Sequence, residues 1–294
     1  MPPTWKQKIA VGLIVLGASS WVAADTGVKV LCQPQTLTNG SPVLFEVPQQ
    51  RRALTISAVW FGHVVNFFKN TQQKNWYALA AIPLEAAPGI YELKVSVVLS
   101  DGSTVSVVRK LRVTKEHYPR IKVKVAKQFT QPSPEQLQEV KDDKQTKQKA
   151  FAAVTPERLW NGPFVAPVAA AVSDLFGTER VFNHEVQSRH QGLDYAAPAG
   201  TEVRAVNRGT VILAKPLFFE GSCVVIDHGQ GLLSLYLHLS QIKVTEGQQV
   251  ESGQVLGLSG ASGRASGAHL HLAIRWQGVY LNPAILLKMK LPGD

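Results

Sequence analysis

The chain is poor in cysteine, with Cys32 and Cys223 the two present among 294 residues. That excludes a disulfide-dense small scaffold and a metal site built on thiolates. Acidic side chains are also outnumbered, 21 against 31 lysines and arginines, so the formal charge is +10. This favours anionic partners such as nucleic acid, anionic lipid or an acidic cell-wall polymer, and charge alone does not choose among them. Glycine and proline, at 23 and 17 residues, lack any triplet period, which excludes collagen and leaves many turns. Long apolar runs are scarce: residues 9–22 form one, and no later stretch is long enough to span a bilayer. What the chain does have is core-forming material. With 45% hydrophobic and 18% charged residues it is not broadly disordered, and its length suits two compact domains plus a linker.

The apolar run follows the basic head Thr4-Trp5-Lys6-Gln7-Lys8 and ends in Val22-Ala23-Ala24 before Asp25. Basic head, short apolar body and small-residue exit read as a secretory signal peptide over residues 1–24. Lys29-Val30-Leu31 ahead of Cys32 lacks the small residue that lipoprotein processing needs, so no lipid anchor is expected. The mature chain is expected in the periplasm or cell envelope, or secreted, without stable membrane insertion. Pairing of Cys32 with Cys223 is open in such a compartment, but they fall in different predicted domains and two separate buried thiols are favoured.

Residues 25–126 alternate apolar and polar side chains in runs at 43–47, 54–60, 76–82 and 90–99, the period-two pattern of strands. Asp101-Gly102 between two such runs signals a two-residue hairpin. This spacing predicts a small immunoglobulin-like β-sandwich, and Pro88-Gly89-Ile90-Tyr91-Glu92-Leu93 resembles a corner of bacterial immunoglobulin-like modules. No catalytic cluster occurs there, and the lone His63 reads as structural or exposed. Over residues 127–163 the composition changes. Ser133 as N-cap, Pro134 at the first helical position and Gln136 three residues after the cap predict a charged linker helix over 134–154. Its charges read as a solvated face. Nucleic acid is not favoured as a partner, because Glu139, Asp142 and Asp143 dilute the basic residues and no aromatic interleaves before Phe151. Residues 164–294 are β-rich again, with strands expected at 201–213, 223–227, 232–239, 254–258 and 269–276. Glu246-Gly247-Gln248-Gln249-Val250 is echoed by Glu251-Ser252-Gly253-Gln254-Val255, which predicts a pair of tight turns. The fold class is mainly β, and the last region is expected to be an antiparallel β domain.

Eight histidines occur, and four fall in three motifs of this last region: Arg189-His190-Gln191-Gly192-Leu193-Asp194, Tyr236-Leu237-His238-Leu239 and His269-Leu270-His271. On a strand, His269 and His271 present both imidazoles on one face while Leu270, Leu272 and Ile274 point to the core. His190 and Asp194 share a face if extended, with Gly192 relieving crowding between them. Together the motifs offer two neutral nitrogens and one carboxylate oxygen to a borderline cation. A fourth tetrahedral position is left for water, the open plan of a catalytic zinc site.

These motifs, with Phe176-Gly177-Thr178-Glu179-Arg180, the run from Leu193 through Asp194-Tyr195-Ala196-Ala197-Pro198-Ala199-Gly200-Thr201, and Ile226-Asp227-His228-Gly229, carry a resemblance. Residues 164–287 are similar to the catalytic domain of the lysostaphin-type, or LytM-type, zinc metallopeptidases that cut bacterial peptidoglycan. The resemblance implies that His190, Asp194 and His271 bind Zn2+, that His269 is the general base and that His238 stabilises the charged intermediate. It implies an exported endopeptidase that cleaves peptide cross-links, with peptidoglycan stem peptides as partners and metal-activated water as nucleophile. The alternative functions are a non-catalytic LytM-fold activator of cell-wall amidases and a wall-binding module. Three departures, Leu237 before the middle histidine and Ala268 and Leu272 beside the last motif, are expected to reshape the groove. Asp227 is expected to tie down a loop, Cys223 to sit in the core, Arg180 and Asn183 to pin substrate or a loop, and His184 to be a solvated surface residue, with the groove rim as its alternative place. The exact scissile bond and the oligomeric state stay open.

Overall fold

A computed structural model describes residues 28–50, 52–123, 126–152, 155–182 and 186–294. The predicted signal segment, Asn183 and His184 lie outside the described residues. Strands dominate, as the period-two patterning predicts. In the N-terminal half the expected strands appear as Pro42–Val47, Ala53–Trp60, Trp76–Ala81 and Gly89–Leu99. A four-stranded sheet contains Pro42–Val47 and Trp76–Ala81, and a five-stranded sheet contains Ala53–Trp60, Gly89–Leu99 and Thr104–Thr114. The sheets share a core in which Phe45 meets Trp60 edge-on at 5.5 Å. The Trp60 indole N–H is satisfied across the sandwich by the Ala81 carbonyl at 3.0 Å. The hairpin differs from the two-residue turn expected. Gly102 N–H donates to Leu99 O, Leu99 N–H donates to Ser103 O, and Gly102 sits at φ +81°, a three-residue loop with glycine in the left-handed position.

The C-terminal half is built on an antiparallel sheet whose order runs Val172–Asp174, Leu193–Tyr195, Leu270–Trp276, Leu232–Leu239, Gly221–Asp227, Gly209–Leu217 and Gln249–Val250. The stretch expected as one strand over 201–213 is two, Glu202–Arg204 in a small separate sheet and Gly209–Leu217 in the main one. The corner between them is pinned by Asn207, 1% exposed, whose side chain accepts from Asn161 N–H and donates to Pro163 O. The echoed pentapeptides form equivalent turns. Gly247 at φ +84° and Gly253 at φ +78° each take the third position, and Gln248 and Gln254 cap their own turns through Oε1.

One hydrophobic core runs through both halves. Phe68 packs edge-on against Trp160 at 5.3 Å, and His63 lies against Trp276 at 5.2 Å, which gives that lone histidine a structural place. The strand Arg120–Val123 crosses over to pair in parallel with Glu179–Phe182. The helix spans Pro134–Ala152 and opens with the reciprocal cap expected: Gln136 N–H donates to Ser133 Oγ, and Ser133 N–H to Gln136 Oε1. Its face is not wholly solvated. Asp143 accepts from Phe218 N–H at 2.6 Å, Lys147 pairs with Glu220, and Ala150 and Phe151 pack against a second core cluster beneath. Residues 143, 147, 150 and 151 share one helical face, so the helix lies against the sheet. The cysteines are unpaired; Cys223 is buried, with its thiol pushed up to about 12 by burial, whereas Cys32 is only half-buried, on the edge strand Leu31–Gln33. No helix among the described residues is long and apolar enough to cross a membrane.

Candidate metal centre

Strand register assembles the site. Leu237 pairs with His271, His271 with Asp194, and Asp194 with Asp174, so four neighbouring strands carry these residues in one cross-strand row. His271 alternates with Leu270 and Leu272, both 0% exposed on the opposite face, as the sequence predicts for that strand. His190 enters just before the strand Leu193–Tyr195, held by its N–H on Thr178 O. Gly192 allows the approach: a Cβ there would lie 2.4 Å from His271 Nε2, so no larger residue fits.

The side chains converge. His190 Nε2 lies 3.0 Å from Asp194 Oδ1 and 3.0 Å from His271 Nδ1, and the last two atoms are 2.8 Å apart. The His190 ring donates from Nδ1 to Leu175 O at 2.8 Å, so its Nε2 keeps a lone pair aimed into the cluster. All three residues are buried, and among the described residues they are the group whose donor atoms come close enough to share an ion. Burial opposes ionisation of Asp194, yet its close contacts with His190 and His271 prevail and hold the carboxyl well below the usual range. Burial pushes His271 down to about 4, so its ring is neutral and able to bind a metal at neutral pH. Two imidazole nitrogens and one carboxylate oxygen, buried and mutually facing, fit a borderline divalent cation.

His238 and His269 stand beside this trio, their rings 4.8 Å apart. His269 Nε2 lies 3.9 Å from Asp194 Oδ1, and its Nδ1 bonds the Gly267 carbonyl at 2.8 Å. His238 sits with Leu237 in a bulge opposite Cys223, at φ +64°, with its N–H on Glu220 O and its Nδ1 on Ser262 O at 2.8 Å. Both rings donate from Nδ1, so both Nε2 atoms carry lone pairs. Burial, then the neighbouring His271 and His269, push His238 down to about 3. His190, Asp194, His238, His269 and His271 are therefore brought into one cluster. The groove over it includes Leu237, Tyr280 and, from the helix, Lys147 on one side, and Ala268 on the other, with Arg180 and Arg264 common to both. Leu272 does not reach it: that departure is a core residue, and only Leu237 and Ala268 can reshape the groove. A cavity of about 750 Å³ lies between the two halves beside Phe151 and Trp276 and touches none of the five.

Residues 188–283, which contain all five, match the profile of Peptidase family M23. A solved structure described as a putative peptidase M23 from Pseudomonas aeruginosa superposes with a TM-score of 0.66 at 30% identity, over 85% of this chain and 94% of that one. The chain belongs to peptidase family M23. Among curated M23 relatives, the peptidoglycan DD-endopeptidase ShyA of Vibrio cholerae is 39% identical over 148 residues, 49% of this chain and 31% of that protein. The DD-carboxypeptidase/endopeptidase Mpg of Neisseria meningitidis is 43% identical over 94 residues, 32% of this chain and 22% of that protein. The chain thus covers less than a third of the length of these two relatives.

Sequence reasoning missed the groove wall that this M23 chain takes from its linker helix, although Asp143, Lys147, Ala150 and Phe151 at helical spacing carried the signal. It also left Arg180 undecided, and Arg180 bonds both Asp174 and Asp194. Asp227 ties a loop as expected, accepting from Gly229 and Thr155 N–H groups at 2.8 and 3.0 Å.

Proposed function

We propose that the chain is an exported, zinc-dependent endopeptidase that cleaves peptide cross-links of bacterial peptidoglycan. The observation that carries this reading is the convergence of His190 Nε2, Asp194 Oδ1 and His271 Nδ1 within 3.0 Å beside two further histidines. The names of ShyA and Mpg supply the substrate class. A zinc ion held by those three donors would polarise the scissile carbonyl and lower the pKa of water toward ~7.

The other steps belong to the chain. His269 Nε2, at the groove, takes the proton released as water attacks and later gives it to the leaving amine. His238 Nε2 is a lone pair in the resting site, so it accepts a hydrogen bond first. It becomes a donor to developing oxyanion charge only after gaining the second proton of the attacking water, His269 having taken the first, and its low affinity for that proton suits rapid return to the product. The groove flanked by Leu237 and Ala268 positions the peptide. The N-terminal sandwich serves as an immunoglobulin-like spacer that contacts the wall. A non-catalytic activator role is not favoured, because all three donors and both flanking histidines are in place. The test is digestion of purified cross-linked peptidoglycan followed by mass spectrometry of the soluble fragments. New amine termini at the cross-links are expected; intact cross-links beside a metal-loaded chain would contradict the reading.

A further inference from the structure

Asp174 and Asp194 are register partners on adjacent antiparallel strands, so two carboxylates face each other inside the site. Like charges placed this way are destabilising unless a cation lies between them. Arg180 is that cation. It comes from the strand Glu179–Phe182 of a separate three-stranded sheet, and its side chain is 18% exposed. Its Nε and Nη2 donate to Asp174 Oδ2 at 2.8 and 2.6 Å, and Nη2 also donates to Asp194 Oδ2. The other oxygen of Asp194, Oδ1, is the one that meets His190 and His271.

We infer that Arg180, anchored by Asp174, is a positioning residue that holds Asp194 as a one-oxygen ligand of the metal. The guanidinium occupies Oδ2, which fixes the plane of the carboxylate and leaves Oδ1 alone facing the two imidazoles. A planar fork is needed, because one group must serve two carboxylates at a set spacing, and an ammonium does not reproduce that geometry. Asp174 keeps the guanidinium in place and balances its charge. Partners of this kind set ligand orientation and affinity without touching the ion.

This inference rests on the metallopeptidase reading, and the two fail separately. The full chain, stripped of metal, is titrated with Zn2+ in competition with a chromophoric chelator and with Co2+ followed by visible absorption. Wild-type chain that takes up neither ion sinks the metallopeptidase reading. Given wild-type uptake, Arg180→Gln is expected to weaken Zn2+ binding about 10–100-fold. It is also expected to lower the intensity of the Co2+ bands, as the freed Oδ2 or Asp174 adds to the coordination. Asp174→Asn should weaken binding less, and Asp174→Asn combined with Arg180→Gln should do no more than Arg180→Gln alone, because the two act through one chain. Arg180→Lys should recover only part of the affinity. Metal affinity within twofold of wild type and an unchanged Co2+ spectrum in Arg180→Gln overturn the inference, as does tighter binding. If Arg180→Gln does not fold, Arg180→Lys and Asp174→Asn carry the test, and wild-type affinity in both overturns it.

Discussion

The two halves of this chain are built from the same material and spend it differently. Both are strand-rich with long alternating runs, and one hydrophobic core runs through them. The N-terminal half buries Asn39, Ser41 and Asn70, neutral groups that tie turns, whereas the C-terminal half also buries His190, Asp194, Asp227, His228, His238 and His271. Burying ionisable groups costs stability unless each finds a partner. In the C-terminal half they do, through carbonyls, one another and the expected cation. Strand patterning therefore separates the halves from disorder but not from each other; buried titratable groups do separate them.

That contrast can be broken first in the N-terminal core. Phe45→Ala should cost about 3–5 kcal/mol of stability by opening a cavity, read as a lower denaturation midpoint, while metal bound per folded chain stays at the wild-type value. A matched change in the other half should do the reverse. His238→Ala should keep the fold and the metal yet lose about 100-fold or more in turnover, about 3 kcal/mol of barrier, measured as initial rates on cross-linked fragments. Equal loss of metal in that variant would assign His238 to the ligand set instead.

Acid sharpens the comparison. His228 is fully buried and held neutral: its Nδ1–H donates to Arg208 O, and its Nε2 accepts from Ser234 Oγ–H. Burial pushes it down to about 4 from 6.5. Between those values the unfolded chain binds a proton that the folded chain refuses, so stability falls as pH drops from 6.5 toward 4 and the contribution levels off below. The loss from this group is on the order of 3 kcal/mol, and hydrogen exchange should show the strand Gly221–Asp227 losing protection before Pro42–Val47. In His228→Gln the slope over that window should flatten. Smaller still, Ser133→Ala should cost about 1 kcal/mol by removing the helix cap, seen as early loss of helical signal on heating.

Legibility in the sequence followed the range of each interaction. The strand Leu232–Leu239 and the faces of Leu270, His271 and Leu272 follow from alternation within one segment. The five site residues were readable because three short motifs carried them; Gly192 stood out between His190 and Asp194, but the side chain that requires it, His271, comes from another strand. What escaped depends on register between segments. The pairing of Asp174 with Asp194 and the reach of Arg180 to both require knowing which strands are neighbours. The docking of the helix on the strand Gly209–Leu217 had a local signal, yet its exposed charges hid a partnered face. The split of residues 201–213 into two strands turned on one buried side chain, Asn207, whose partners lie more than forty residues away.

The central claim is that His190, Asp194 and His271 jointly hold one metal ion that the hydrolysis needs. Metal analysis of purified wild-type chain and of His271→Ala, each paired with a peptidoglycan digest, tests it most directly. About one zinc ion per wild-type chain is expected, with none retained in His271→Ala after dialysis and cross-link cleavage by the first protein only. Equal metal content in both, or cleavage by the metal-free variant, would contradict it.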